Sequence, residues 1–187
     1  HVLLDAVGVI LGASGMAAET APFVALACSQ GQGSSAILGT GQRTSPAMAA
    51  FANGAMAHAL DYEDAFDRAP GHPNASLVPA LIALAQAEGP VDGARFLAAL
   101  AVGCELSCRM GLALRRPMEA GGWYPPPMLA AFGATAGAAH LLGLNAGQIR
   151  DALSLTLCQA VMPGEIKYSA GTVIRAVREA FPAQAAV

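Results

Sequence analysis

Charge is scarce in this chain of 187 residues. Only 12% of it is charged, about half the share of an average soluble domain, while 55% is hydrophobic. That balance excludes intrinsic disorder, which needs low hydrophobicity and high net charge. Positive charge is scarcer still: ten Lys and Arg face thirteen Asp and Glu, a net charge of −3. With no basic field to attract phosphates, nucleic-acid binding is not expected. Lysine is nearly missing, since Lys167 stands alone beside nine arginines. The planar arginine fork recognises carboxylate or phosphate, so a small anionic ligand stays open. Long lipophilic runs are missing too. The best uncharged segment, Met128 to Leu144, has seventeen residues and is mostly Ala, Gly and Thr. It falls short of the ~20 apolar residues that span a bilayer, reads as a buried helix, and leaves no membrane partner expected. Residues 1–15 carry no basic segment ahead of their apolar run, so no secretory leader is expected there. The four cysteines form no CxxC grouping, and Cys104 and Cys108, four apart on one predicted helix, are badly placed for a bridge. Buried free thiols in a reducing cytoplasm are the expectation.

What is present is helix after helix. Leu3–Leu11, Ala18–Ser29, Ala47 to about Tyr62, Leu77–Ala87, Gly93–Leu114, Met128–Leu142, Asn145 to about Val161 and a last run from Thr172 read as eight helices. Ser45-Pro46 is a helix start, and Asn145 with Gln148 three residues on forms a capping box. Ser35–Leu38 is the one convincing strand. The expected fold is all-α, a helical bundle of about eight helices rich in small residues, one domain over 1–187. Gly133 and Gly137 read as positions of close helix packing rather than a phosphate loop, since no strand precedes them. Both ends fall within apolar helical runs, so the chain is expected to be part of something larger.

Chemistry concentrates in a few places. The stretch from His58 to His72 holds two of the four histidines and four acids. If the helix runs on to Tyr62, His58, Asp61 and Asp64 share a face near its C-terminal end, where acids oppose the helix dipole at roughly 0.3–1 kcal/mol each. A charged helix end, a divalent-metal site and an acid–base site all fit that spacing. Trp123 and Tyr124 sit in a stiff Gly-Gly-Trp-Tyr-Pro turn. Arg175 and Arg178, three apart near the start of the last helix, also oppose the dipole, which suits capture of an anion. Lys167 reads as a solvated loop cation.

The run AAFANGAMAHALDYEDAFDRAPGHPNASLVPALIALA, Ala49 to Ala85, resembles the segment that marks the MmgE/PrpD family. The likeness opens with LLDAVGVILGAS (Leu3–Ser14) and continues through VGCELSCRMGLAL (Val102–Leu114), GGWYPPPMLAAFGATAGAAHLLGLNAGQIRDALSLT (Gly121–Thr156) and the last, Arg-containing helix. It implies a helical domain that pairs with a smaller α/β lid, absent from this chain, with the site in the cleft between them. It also implies a homodimer without metal or organic cofactor that acts on small di- or tricarboxylates. Proton transfer beside a carboxylate would lead to loss of water or CO2, or to epimerisation.

Asp61 matches the site Asp of the family's His-Ala-Leu-Asp motif and His72 the His of its Gly-His-Pro motif. Ala65 stands where many members have Thr, Tyr124 where they have His, and Arg175 and Arg178 where a Lys and a His are common. The resemblance therefore implies Asp61, His72 and Tyr124 as acid–base candidates and Arg175 and Arg178 as carboxylate ligands. The arginines keep positive charge but cannot give up a proton. Pro182 should kink the last helix or displace its start. An inactive paralogue or a helical scaffold that mainly dimerises is the alternative.

Overall fold

A computed structural model describes residues 1–187. Its α-helices are α1 (Val2–Met16), α2 (Ala21–Ser29), α3 (Pro46–His58), α4 (Pro73–Glu88), α5 (Gly93–Ala113), α6 (Pro125–Leu142), α7 (Ala146–Leu157), α8 (Ile174–Val177) and α9 (Ala180–Ala185). The expected all-α class holds, with seven helices overlapping the runs read for them and the eighth broken into α8 and α9. Pro182 falls in the first turn of α9, where its missing N–H costs no hydrogen bond, so the proline shifts the helix start to Ala180. Thr172 caps nothing; α8 begins at Ile174 without a side-chain cap.

Other boundaries differ from expectation, among them the end of α1, read at Leu11 and found at Met16. The prolines at 125–127 are the first turn of α6 rather than loop, as tolerated where N–H groups have no helical partner. Similarly, α4 starts at Pro73, four residues before the apolar run at Leu77. The Asn145–Gln148 capping box forms in both directions, but α7 stops at Leu157. The strand β1 (Ser35–Ile37) is present and pairs antiparallel with β2 (Gln42–Thr44), which its polar residues hid.

Helices α3, α4 and α6 form the centre. Every residue from Ala49 to His58 is buried, and α6 is buried almost all round, as its small-residue sequence predicts. Close approach depends on missing side chains. A Cβ on Gly133 of α6 would lie 2.5 Å from the carbonyl oxygen of Gly103 on α5, and one on Gly137 would lie 2.6 Å from Leu77 on α4. Both glycines are packing positions. Gly54 of α3 does the same for the α8–α9 break: a Cβ there would meet the Glu179 carbonyl oxygen at 2.6 Å. By length and composition α5 is apolar enough to cross a bilayer, and it leaves Leu97, Val102 and Leu112 exposed, so the membrane-length helix is not the one centred on α6. The four thiols are free, but none is buried as expected: Cys104 and Cys108 are half-buried. Cys28 and Cys158 are exposed, because the solvent face of each short helix end carries them.

Candidate active site

The loop after α3 builds the first half of the site. Helix α3 ends at His58, not at Tyr62, and the chain turns so that Asp61 adopts a left-handed conformation at φ 56° and its N–H donates to the His58 carbonyl. Asp is among the few residues that tolerate this conformation. His58, Asp61 and Asp64 thus share no helical face. Asp61 nonetheless folds back over the helix end, with Oδ1 3.8 Å from His58 Nε2.

Behind it, Glu63 turns inward. Its Oε1 meets the Nδ1–H of His58 and lies 3.5 Å from His72 Nδ1. His72 stands just before α4, and its Nδ1–H donates to the Asp64 carbonyl at 3.0 Å. The Asp64 side chain accepts from Asn74 at 2.9 Å, and burial pushes its carboxyl above the ordinary range, against the pull of Asn74 and His72. Asn74 in turn accepts from Cys104 of α5, whose thiol is pushed up to about 12 mainly by burial. One polar chain therefore joins the loop, α4 and α5.

The α8–α9 break supplies the second half. Arg175 reaches across to Asp61, Nη2 to Oδ2 at 3.4 Å, with both side chains open to solvent. Arg178 is the opposite case at 1% exposure. Its Nη1 donates to the Arg175 carbonyl at 2.8 Å, its guanidinium lies 4.9 Å from the centre of the Tyr124 ring, and its Nε is 3.5 Å from Glu179 Oε1. Glu179 is wholly buried and accepts from Ser76 of α4. Burial raises its carboxyl above the ordinary range, opposed by Arg178 and Ser76.

A cavity of about 400 Å³ opens between these halves, with Glu19, His58, Asp61, Thr172 and Arg175 in its wall. Of the five residues picked from the sequence, Asp61 and Arg175 line it. Tyr124 and Arg178 stack on each other beneath the α8 segment, and His72 stands behind Glu63; none of these three is in the wall. His58, Glu63 and Glu179 were not among the five. The His58–Asp61 spacing signals the first; nothing local marks Glu63 or Glu179, whose roles depend on burial. His58, Asp61 and Glu63 place one donor atom each within 4.8 Å of the others, near enough for a metal ion. Glu63 Oε1 already faces the His58 N–H, however, so those two are committed to each other, while Asp61 stands 3.8 Å from His58 Nε2 without a hydrogen bond to either.

Comparison with known proteins agrees with this architecture. A cis-aconitate decarboxylase-like protein of Aspergillus oryzae is 29% identical over 98% of this chain and 39% of its own length. The cis-aconitate decarboxylase of Aspergillus terreus is 31% identical over 81% of the chain and 32% of its own length. The human cis-aconitate decarboxylase is 33% identical over 65% of the chain and 26% of its own length. The chain thus spans about two fifths or less of these relatives. The family description "MmgE/PrpD N-terminal domain" matches residues 1–187 without remainder. With that match running through every helix from α1 to α9, the chain belongs to the MmgE/PrpD family.

Proposed function

We propose that this chain is the helical part of a cofactor-independent lyase that removes CO2 from a small unsaturated tricarboxylate of the cis-aconitate kind. The observation that carries the reading is the Arg175–Asp61 pair at the mouth of the cavity, 3.4 Å apart with 46% and 64% of the side chains exposed. Such an open pair is worth only about 0–1 kcal/mol. An incoming carboxylate can therefore displace Asp61 from the guanidinium at little cost and leave Asp61 beside the reacting carbon. Arg178 and Tyr124 serve the same end from below, because Arg178 holds the carbonyl of Arg175 and so aims the segment that carries it. His72, whose Nδ1–H is committed to the Asp64 carbonyl, stands behind Glu63 and steadies the loop that carries Asp61.

Decarboxylation breaks the bond between a carbon and its carboxylate. The electron pair stays on that carbon, spread over the adjoining double bond, and a proton must be delivered. Side-chain acids and bases can supply that proton without metal chemistry. A homodimer in the cytoplasm belongs to the same reading. Exposed apolar side chains on α1 (Leu4, Leu11 and Met16) and on α7 (Leu155 and Leu157) offer apolar surface for a partner subunit to cover, and four free thiols suit a reducing compartment. Light scattering that returns a single chain mass for the full-length protein would remove the dimer.

The test is turnover of cis-aconitate by the full-length protein and its Asp61→Asn variant. The variant should lose about a hundredfold or more in kcat, the range for loss of one acid–base group. Equal turnover by the two proteins would take Asp61 out of the reaction. No turnover of any di- or tricarboxylate by the parent would favour the scaffold alternative.

A further inference from the structure

We infer that His58 is the residue through which the proton passes to the substrate in this cavity, with Glu63 as its positioning residue; the inference rests on the lyase reading above. An imidazole used in proton transfer needs one nitrogen facing the reaction and the other held, because the held nitrogen sets the tautomer and the angle of the ring. His58 has this arrangement. Its Nδ1–H is bound by the Glu63 carboxylate inside the fold. Its Nε2 makes no hydrogen bond and lies 3.8 Å from Asp61 Oδ1, and both residues line the cavity. At 1% exposure the ring is locked between α3 and the loop, so it cannot swing out and exchange its two nitrogens.

The other candidates are placed less well. His72 is not in the wall, and Asp61 has no second group holding its carboxylate once substrate takes Arg175, with 64% of its side chain exposed. Tyr124 lies under the Arg178 guanidinium. The charged groups that line the cavity together with His58 are Asp61, Arg175 and Glu19. Glu63 and His72 flank the His58 ring on the loop side, and Glu179, backed by Arg178, lies behind it at the α8–α9 break. In the step itself, the carbon–carboxylate bond breaks, CO2 leaves and its electron pair stays on carbon. The charged ring then gives its Nε2 proton to that carbon and recovers one from water, so one proton is consumed for each CO2 released.

The experiment uses the full-length protein with cis-aconitate and two variants, His58→Gln and Glu63→Gln. His58→Gln should lose about a hundredfold or more in kcat. Glu63→Gln should lose about tenfold to a hundredfold, the range for a lost orienting partner. KM should stay within about threefold in both, since neither residue is the carboxylate clamp. A His58→Gln protein that keeps kcat within threefold of the parent overturns the inference and leaves the lyase reading standing. Because a buried histidine variant can fail to fold, nitrogen-15 histidine spectra of the parent give a second measure. The neutral His58 ring should carry its proton on Nδ1, and Glu63→Gln should convert it to a mixture of tautomers. A parent ring protonated on Nε2, or a tautomer indifferent to Glu63→Gln, overturns the inference even where no acid is turned over and the lyase reading has failed.

Discussion

At the scale of single residues, the two arginines of the α8–α9 segment show how little a spacing says about a role. Arg175 and Arg178 are three apart and identical in chemistry, yet one is open to the cavity and the other is buried over the Tyr124 ring. Removing Arg175 deletes a solvent-exposed pair, so Arg175→Ala should change stability by less than about 1 kcal/mol. It should raise KM for a tricarboxylate about tenfold or more, because a charge-assisted hydrogen bond contributes roughly 1.5–3 kcal/mol. Removing Arg178 leaves Glu179 buried without its countercharge, and Arg178→Ala should cost about 3–5 kcal/mol of folding stability. Denaturant titration of both variants, beside KM for the first, checks the contrast. Equal stability losses would place both arginines in one environment.

At the scale of elements, the helices meet through what they lack. Gly133 on α6 faces the backbone of α5 at Gly103, and helix propensity alone would favour alanine there by about 1 kcal/mol. The added methyl group, however, would lie 2.5 Å from a carbonyl oxygen that cannot move without its helix. Overpacking of this kind costs typically about 1–3 kcal/mol, so Gly133→Ala should be destabilising on balance despite its better propensity. A thermal melt that rises instead would mean that α5 and α6 can separate without loss. Gly54 is the same device closer to the site, and it is what lets the Glu179 backbone rest on α3 beneath the cavity.

For the whole molecule, buried acids set the pH dependence. Asp64 and Glu179 both have carboxyls raised by burial, so the folded chain binds their protons more tightly than the unfolded chain does. Stability from these groups is full below the ordinary carboxyl range and is lost as pH rises from about 4 through the raised values. Asp64→Asn keeps an oxygen to accept from Asn74 but removes the titration. Its melting temperature relative to the parent should therefore climb between pH 4 and pH 8; a difference constant with pH would show that Asp64 titrates normally.

Much of this protein was legible in its sequence because the signals are local. Ser45-Pro46, the Asn145–Gln148 box and the small-residue runs mark helices by their own chemistry, and a helix rich in Ala and Gly has no stable place except against another helix. The family block from Ala49 to Ala85 also drew attention to Asp61 and His72. Boundaries governed by distant contacts were not legible. The end of α3 at His58 depends on Asp61 taking a left-handed turn, and the break before α9 lies where Glu179 sits between Gly54 and Ser76. Pairing was hidden for the same reason. Which carboxylate grips His58 depends on how the loop after α3 turns inward, and which arginine faces water depends on atoms more than a hundred residues apart being brought within a few ångströms, as Arg175 and Asp61 are. The sequence by itself determined the helices and their readiness to pack closely, since both follow from side-chain size and backbone preference over a few residues. Only the tertiary structure decided which polar groups share the cavity, because burial and charge pairing exist only after the helices have met.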